Sequence, residues 1–541
     1  MDPPTVACGI RTAMRRIKLH CRRVELERKV ILTIDCGTQS LRGLLFSPDG
    51  NLLARTRIPY APYASPRPGW AEQDPEIYWE GLCRACRRLK REHPDHFARI
   101  AGVGVTTQRN SMINVDRRGN CLRPAIIWLD QRKSAPSFAS GGLLKHAFRI
   151  IRMDKVVSGI QAEGKCNWIS QNQPHIWQMT HKYLQVSGFL NYRLTGRFAD
   201  STASQIGHLP FNYKKMRWAR KYELCARLFP VEREKLPELV APGGELGFVT
   251  ARAAERTGLP SRLPVIACGS DKGCETLGSG VMDQKMVSLS FGTTATIQTA
   301  SSAYFEPIRF MPPYPSPLPG FYNPEVEILR GYWMISWYKK QFAHKEVLEA
   351  RENGMAAEKI LDRLLAETPP GAMGLMVQPY WGAGIMNPFA KGAMIGFGGI
   401  HTRAHVYRAV IEGLGYALYD GLRKLQKSGG VKATKAAVSG GASQSDEICK
   451  ITADIFNLPM IRGTTHETSG LGAAIVTAVG IGLYPSFEAA VGRMVRIQKI
   501  FEPDPAHVTL YRGLYNRVYR KIYKALGPIY AEIRELTGYP E

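Results

Sequence analysis

The pattern of apolar and polar positions marks out the same device twice. Val30-Ile31-Leu32-Thr33-Ile34 is a β-branched apolar run that reaches Asp35 and Cys36, breaks at Gly37-Thr38-Gln39-Ser40, and resumes from Leu41 to Phe46. Met286 to Phe291 runs the same way, breaks at Gly292-Thr293-Thr294, and continues from Ala295 to Thr299. Each reads as strand, tight turn, strand, because such runs favour extended backbone and glycine admits the angles of a turn. Successive turn amides and neighbouring hydroxyls make a concave donor surface suited to phosphate oxygens. Two such hairpins a domain's length apart predict two related lobes gripping one polyphosphate.

Further along, the pattern alternates between strand and helix. A meander from Val30 to Ile58, turned at Pro48-Asp49-Gly50-Asn51, leads through a proline-rich loop to a helix from about Pro75 to Arg91. A strand from Ile100 to Thr106 follows, with polar residues at its end. This order predicts an α/β fold with a mostly parallel sheet whose strand ends carry ligand residues. Seven prolines between Pro307 and Pro324 predict a long surface loop, a candidate lid segment. Thr468 to Phe487 is uncharged but holds four glycines, which predicts a buried helix rather than a membrane span. Near the end, Tyr511, Leu514, Tyr515, Val518, Ile522 and Leu526 recur at helical spacing. Arg512, Arg517, Arg520, Lys521 and Lys524 lie between them, so a C-terminal helix is expected to pack its Tyr/Leu stripe on the body.

A chain of 541 residues has room for two large domains, here expected at 30–284 and 285–541, with residues 1–29 as a basic arm outside the fold. The formal charge of +26 is spread along the chain, which suits anionic ligands such as nucleotides and does not point to nucleic acid. The eleven cysteines are scattered, and the close pair Cys83 and Cys86 has no second pair to complete a zinc site. Reduced thiols in a cytoplasmic protein are the expectation.

With these residues laid out, the chain resembles the FGGY family of carbohydrate kinases. The landmarks are Asp35-Cys36-Gly37-Thr38, Gly69-Trp70-Ala71-Glu72-Gln73-Asp74-Pro75, Gln108-Arg109-Asn110 and Ala125 to Arg132. Arg193 to Gly196, Gly269-Ser270-Asp271, Gly292-Thr293-Thr294, Arg408 to Gly413 and Gly440 to Ser443 complete the ordered set. The resemblance implies a two-lobed, actin-like or ribonuclease H-like ATPase fold with duplicated mixed sheets, and ATP and substrate between the lobes. It also implies ATP and Mg2+ as cofactors and a small sugar or polyol as substrate. No nucleic acid or membrane is expected as a partner, and a homodimer stays an open option.

The candidate residues follow. Asp271 comes after the strand-like Val265-Ile266-Ala267 and a Gly269-Ser270 turn. It can take a proton from a substrate hydroxyl, or simply cap a helix; the resemblance favours catalysis. Asp35 is expected near the magnesium, with an Asx turn as its plain alternative. Gly37, Thr38, Gln39, Ser40 and Arg42 match the first phosphate segment, and Gly292, Thr293 and Thr294 match the opposing one. Gly440, Gly441 and Ser445 match positions that approach the adenosine.

Gln108, Arg109 and Asn110 are expected to contact substrate with Asp271. Asn110 stands where glycerol kinases carry an acid, and its amide suits a carbonyl-plus-hydroxyl pattern, so a ketose such as xylulose is favoured over glycerol. Trp128 and Asp130 read equally as substrate-side partners or as core and cap. Gly164 to His175, with Asn167, Trp168 and Gln173, is the candidate for the remaining wall. The readings of another class are an actin- or chaperone-like ATPase and a non-catalytic, sugar-responsive regulator.

Overall fold

The computed structural model describes residues 29–61, 63–135, 150, 154–382 and 390–539. The expected basic arm lies almost wholly outside them. Two compact units are formed. The first takes the described residues up to Gly278 together with Pro315–Gly320 and Ser469–Met494; the second takes Ser279–Tyr314, Phe321–Thr468 and the chain from Val495.

In the first unit, β1 (Val30–Cys36), β2 (Ser40–Phe46), β3 (Leu52–Pro59), β4 (Ile100–Thr107), β5 (Glu245–Phe248) and β6 (Pro264–Ile266) form one sheet in the order β5-β6-β4-β1-β2-β3. The meander β1-β2-β3 is antiparallel, β4 and β6 run parallel to β1, and β5 is antiparallel to β6. All seven residues of β1 are buried, which explains its unbroken apolar run. Helix α1 (Glu76–Glu92) turns Tyr78, Leu82, Cys83, Cys86 and Leu89 inward. Burying each leucine contributes roughly 1.5–3 kcal/mol. Burial pushes the Cys83 thiol up to about 12, as fits a core cysteine. A short helix, α2 (Asp271–Gly278), follows β6.

In the second unit, β7 (Met286–Phe291), β8 (Ala295–Gln298), β9 (Glu325–Ile328), β10 (Lys435–Ser439), β11 (Met460–Gly463) and β12 (Ile497–Phe501) are ordered β9-β8-β7-β10-β11-β12. The directions repeat those of the first sheet: an antiparallel meander, two parallel neighbours, then an antiparallel edge. The duplicated hairpin is thus the visible part of a duplicated mixed sheet. Helices α3 (Ala357–Glu367), α4 (Arg403–Gly429), α5 (Asp446–Phe456), α6 (Pro505–Leu514) and α7 (Arg520–Thr537) surround it.

The chain crosses between units more often than the single crossing after residue 284 that the sequence reading has. The helix Thr468–Gly480 is buried, as expected, and nearly all of it belongs to the first unit. Its glycines explain how it fits. A Cβ on Gly472 would come within 1.9 Å of the Cys274 carbonyl oxygen, and one on Gly470 within 2.2 Å of Leu44.

Two expectations are corrected. The proline-rich stretch is not a surface loop: Pro307, Pro313, Pro315, Pro317 and Pro324 are buried. Its rings act as rigid apolar packing, and a Cβ on Gly269 would meet Pro317 at 2.7 Å. On the C-terminal stripe, Tyr511, Tyr515 and Ile522 are buried, but Val518 is exposed and Tyr519 takes its place. A π-helical segment, Tyr515–Tyr519, separates α6 from α7 and shifts the phase of the stripe.

Candidate active site

Strands β1, β4 and β6 run parallel side by side, with Cys36 opposite Thr107 and Thr107 bridged to Ser270. Their C-terminal ends deliver Gly37–Ser40, Gln108–Asn110 and Asp271 to one edge of the first sheet, where α/β proteins place ligands. The Gln108 amide N–H donates to the Cys36 carbonyl at 3.0 Å, fastening two of these ends together.

Asp271 opens α2, and its neighbour performs the capping. Ser270 Oγ accepts from Gly273 N at 3.2 Å, whereas Asp271 Oδ1 accepts from the adjoining Lys272 N at 2.8 Å. Among the described residues, Asp271 Oδ2 has no hydrogen-bond partner. Burial lifts this carboxyl above the usual range, against the charges of Arg109 and Lys272. A raised, half-enclosed carboxylate with one open oxygen is a better proton acceptor than an ordinary surface aspartate.

The first turn is closed by Gly37 N donating to Ser40 O at 3.1 Å. Asp35 and Arg42 are cross-strand partners and form an ion pair at 2.8 Å, so Arg42 is bound to its own hairpin. The Ser40 hydroxyl is buried and accepts from Arg57 Nε at 3.1 Å; Gln39 is exposed at the tip. Thr38 donates its hydroxyl to Gln108 Oε1 at 2.7 Å and accepts from Trp128 Nε1 at 2.8 Å. That hydroxyl proton therefore points at Gln108 and is not offered to a ligand.

Trp128 is 37 % exposed, which removes its reading as core. Asp130 is buried in a pair with Arg132 at 2.7 Å and accepts from Ala71 N at 2.6 Å. Asn110 has φ of 53°, a left-handed geometry that asparagine tolerates, and its amide N–H donates to Ile206 O at 3.2 Å. Its side chain lies against Gly207, where a Cβ would come within 2.6 Å of Oδ1.

In the stretch 164–175, the candidate for the remaining wall, the named side chains are engaged within the protein. Asn167 Nδ2 donates to Gln161 O and Leu228 O, Gln173 Oε1 accepts from Arg123, and Trp168 is buried edge-on to Trp70. Lys165 in the same stretch is buried, and that burial brings its ammonium down to about 8.

In the second unit, Gly292, Thr293 and Thr294 form the turn between β7 and β8. Thr293 is exposed, and among the described residues its hydroxyl has no partner. Thr294 donates to Leu329 O at 3.3 Å. Gly440, just past β10, has φ of +82°, and a Cβ there would lie 2.8 Å from the Phe291 carbonyl carbon. Only glycine allows that approach, which brings the Gly440-Gly441 turn against the start of the second phosphate turn. A Cβ on Gly441 would face open space.

The Ser445 hydroxyl is engaged within its own unit. Ser445 is the N-cap of α5, accepting from Ile448 N at 3.2 Å and donating to Asp362 Oδ1 at 2.5 Å. Asp362, on α3, has its other oxygen without a hydrogen-bond partner among the described residues, and burial raises its carboxyl. Sequence reading missed it because nothing local distinguishes it from the polar face of an amphipathic helix.

The sequence matches the family models for the FGGY family of carbohydrate kinases, N-terminal domain over residues 30–278 and C-terminal domain over 287–481. The chain belongs to the FGGY family of carbohydrate kinases. It is accordingly a phosphotransferase with an alcohol acceptor, using ATP. It is 29% identical to a xylulose kinase of Lactococcus lactis over 94% of this chain and 99% of the relative. It is 28% identical to the uncharacterized sugar kinase YgcE of Escherichia coli over 92% and 94% of the two chains. The crystal structure of xylulose kinase from Rhodospirillum rubrum superposes with a TM-score of 0.78 at 27% identity, covering 93% of this chain and all (100%) of that one.

One FGGY landmark proves to be architectural. Arg408 Nε donates to Glu412 at 2.8 Å, its other nitrogens reach Leu365 O, Thr368 O and Tyr511 Oη, and Tyr511 donates to Glu412 at 2.7 Å. The pair locks α4 to α6. Among the described residues, no helix is long and apolar enough to cross a membrane.

Proposed function

We propose that this FGGY kinase phosphorylates a primary hydroxyl of a small ketose, with xylulose the first candidate, and that Asp271 is the general base. The observation that carries the reading is Asp271 itself, relieved of capping by Ser270 and placed at the same sheet edge as Gln108–Asn110. In the reaction, the substrate hydroxyl gives its proton to Asp271 as its oxygen bonds to the γ-phosphorus, and the bond to the ADP oxygen breaks. Arg109 keeps part of the base in its ionised form.

The turn amides at 37–40 and 292–294 are read as the phosphate cradles, with Thr293 as the hydroxyl donor. Relatives named xylulose kinase match over nearly their whole length, which supports the ketose, as does an amide rather than an acid at position 110. Asp35 lies near the end of β1 and Asp271 follows β6, parallel strands with β4 between them, and two carboxylates at one sheet edge fit magnesium, which takes few protein ligands and keeps its waters. When bound, the ion offsets triphosphate charge. Nine unbridged cysteines among the described residues and a need for ATP support work in the cytoplasm.

ADP release should be measured against D-xylulose, D-ribulose, hexuloses, polyols and glycerol. A ketose should give the highest catalytic efficiency; glycerol leading the panel would replace the ketose reading.

A further inference from the structure

The FGGY landmark Gly69–Pro75 and helix α1 both reach the first turn through side chains that the proposed chemistry leaves without a role. Gln73 Nε2 donates to the Thr38 carbonyl oxygen at 3.0 Å, and Tyr78 Oη donates to Gln73 Oε1 at 2.7 Å. Gln108 Nε2 donates to Tyr78 Oη at 3.3 Å, and Thr38 donates to Gln108 Oε1 at 2.7 Å. The four residues close a loop of hydrogen bonds that leaves Thr38 by its hydroxyl and returns to its carbonyl. Gln73 is 5 %, Tyr78 0 % and Gln108 4 % exposed, so water does not compete for these bonds.

The direction of the loop is forced from both ends. A carbonyl only accepts, so Gln73 must present its NH2 to Thr38 and its oxygen to Tyr78. Tyr78 must then donate to Gln73 and accept from the Gln108 NH2, which leaves the Gln108 oxygen facing the Thr38 hydroxyl. At the other end the Trp128 indole only donates, and it fills the acceptor side of that same hydroxyl at 2.8 Å. Every donor thus points the same way around, an arrangement in which each bond polarises the next. None of the five can reverse alone without leaving a buried polar atom unpaired.

We infer that Gln73 and Tyr78 are positioning residues for the phosphate turn, fixing the main chain at Thr38 relative to the substrate strand end at Gln108. The inference rests on the reading of residues 37–40 as a phosphate turn. Gln73 and Tyr78 touch no reacting atom themselves. Tyr78 acts through Gln73 and Gln108, and Gln73 acts through the Thr38 carbonyl, whose orientation sets that of the following amides. The consequence is selective: loss of the loop loosens the grip on a triphosphate and leaves recognition of the nucleoside unaffected.

The test compares binding of AMP-PNP and AMP to the full chain by calorimetry, in wild type, Tyr78→Phe, Gln73→Met and the double variant, with melting temperatures alongside. Each single variant should cut the preference for AMP-PNP over AMP about tenfold, and the double variant should lose at most about twofold more, since residues in one network are not additive. Gln73→Met keeps the question open to refutation should Tyr78→Phe fail to fold. A lowered melting temperature with an unchanged preference would overturn the inference and leave the kinase reading standing. A wild-type chain that binds AMP as tightly as AMP-PNP would instead remove the phosphate-turn reading beneath it.

Discussion

At the first hairpin turn, Thr38 gives its hydroxyl to Gln108, takes a bond from Trp128, and offers its carbonyl to Gln73. At the second, Thr293 is exposed with a hydroxyl that no described residue engages. The two turns sit on sheets with the same strand directions and come from the same sequence pattern, yet one is held by side chains and the other by a close backbone approach at Gly440. A phosphate-binding turn needs its amides fixed, and a fixed turn can be obtained either way. What differs is the threonine hydroxyl: taken up by Gln108 and Trp128 at the first turn, open to a ligand at the second.

The largest effect should come from Asp271, which shares a sheet edge with the first turn. Asp271→Asn should lower kcat about 10²–10⁴-fold with AMP-PNP affinity close to wild type. Because burial raises this carboxyl, wild-type turnover should fall as pH drops, with the acid limb above the usual carboxylate range. Residual turnover of the Asn variant should lack that limb, and an identical pH profile in both proteins would reassign the base.

Gly440→Ala tests the backbone support of the second turn. A left-handed φ and a 2.8 Å approach to Phe291 leave no room for the methyl, so the Michaelis constant for ATP should rise about tenfold while that for the sugar holds. If the sugar constant moves instead, Gly440 does not support a nucleotide-binding turn.

Thr38→Val and Thr293→Val make the comparison directly. The first leaves Gln108 Oε1 and Trp128 Nε1 without their partner and should destabilise the fold by about 1–3 kcal/mol, seen as a lower melting temperature. The second should leave the melting temperature unchanged and raise the ATP constant threefold to tenfold, through loss of one charge-assisted bond. Equal melting temperatures for the two variants would erase the distinction between the turns.

The smallest effect is expected at Asn110. Asn110→Glu should raise glycerol relative to a ketose a fewfold, read as a ratio of catalytic efficiencies, because a carboxylate accepts from paired hydroxyls but cannot donate to a carbonyl. Its left-handed φ predicts a modest fall in melting temperature as well, so a fall in stability without a change in ratio would confine Asn110 to shaping the chain.

The sequence made the hairpins, the parallel strand ends and Asp271 legible, because each is written locally in apolar runs, glycines and an aspartate at a fixed distance. It is silent where a residue's partner lies far along the chain. Nothing beside Ser445 shows that Asp362, eighty-three positions away, holds its hydroxyl. Nor does anything beside Thr38 show that Gln108, seventy positions on, takes its hydroxyl proton. The proline-rich stretch reads as a loop because proline ends regular structure, a rule about hydrogen bonding that says nothing of where rigid rings pack. Val518 was displaced by Tyr519 because one π-helical segment breaks the period on which the stripe was counted.

The crossings of the chain between units carry a consequence for biosynthesis. The first unit is completed by Ser469–Met494, whose helix covers Leu44, Gly104 and Cys274. A ribosome that has released residue 278 has made every strand of the first sheet but not the helix that closes over it. The nascent chain must keep that apolar surface apart from other chains for about 200 further residues, some 10–40 s at ordinary elongation rates. Folding of this unit is therefore timed by the synthesis of Ser469–Met494, although β1 is made long before it.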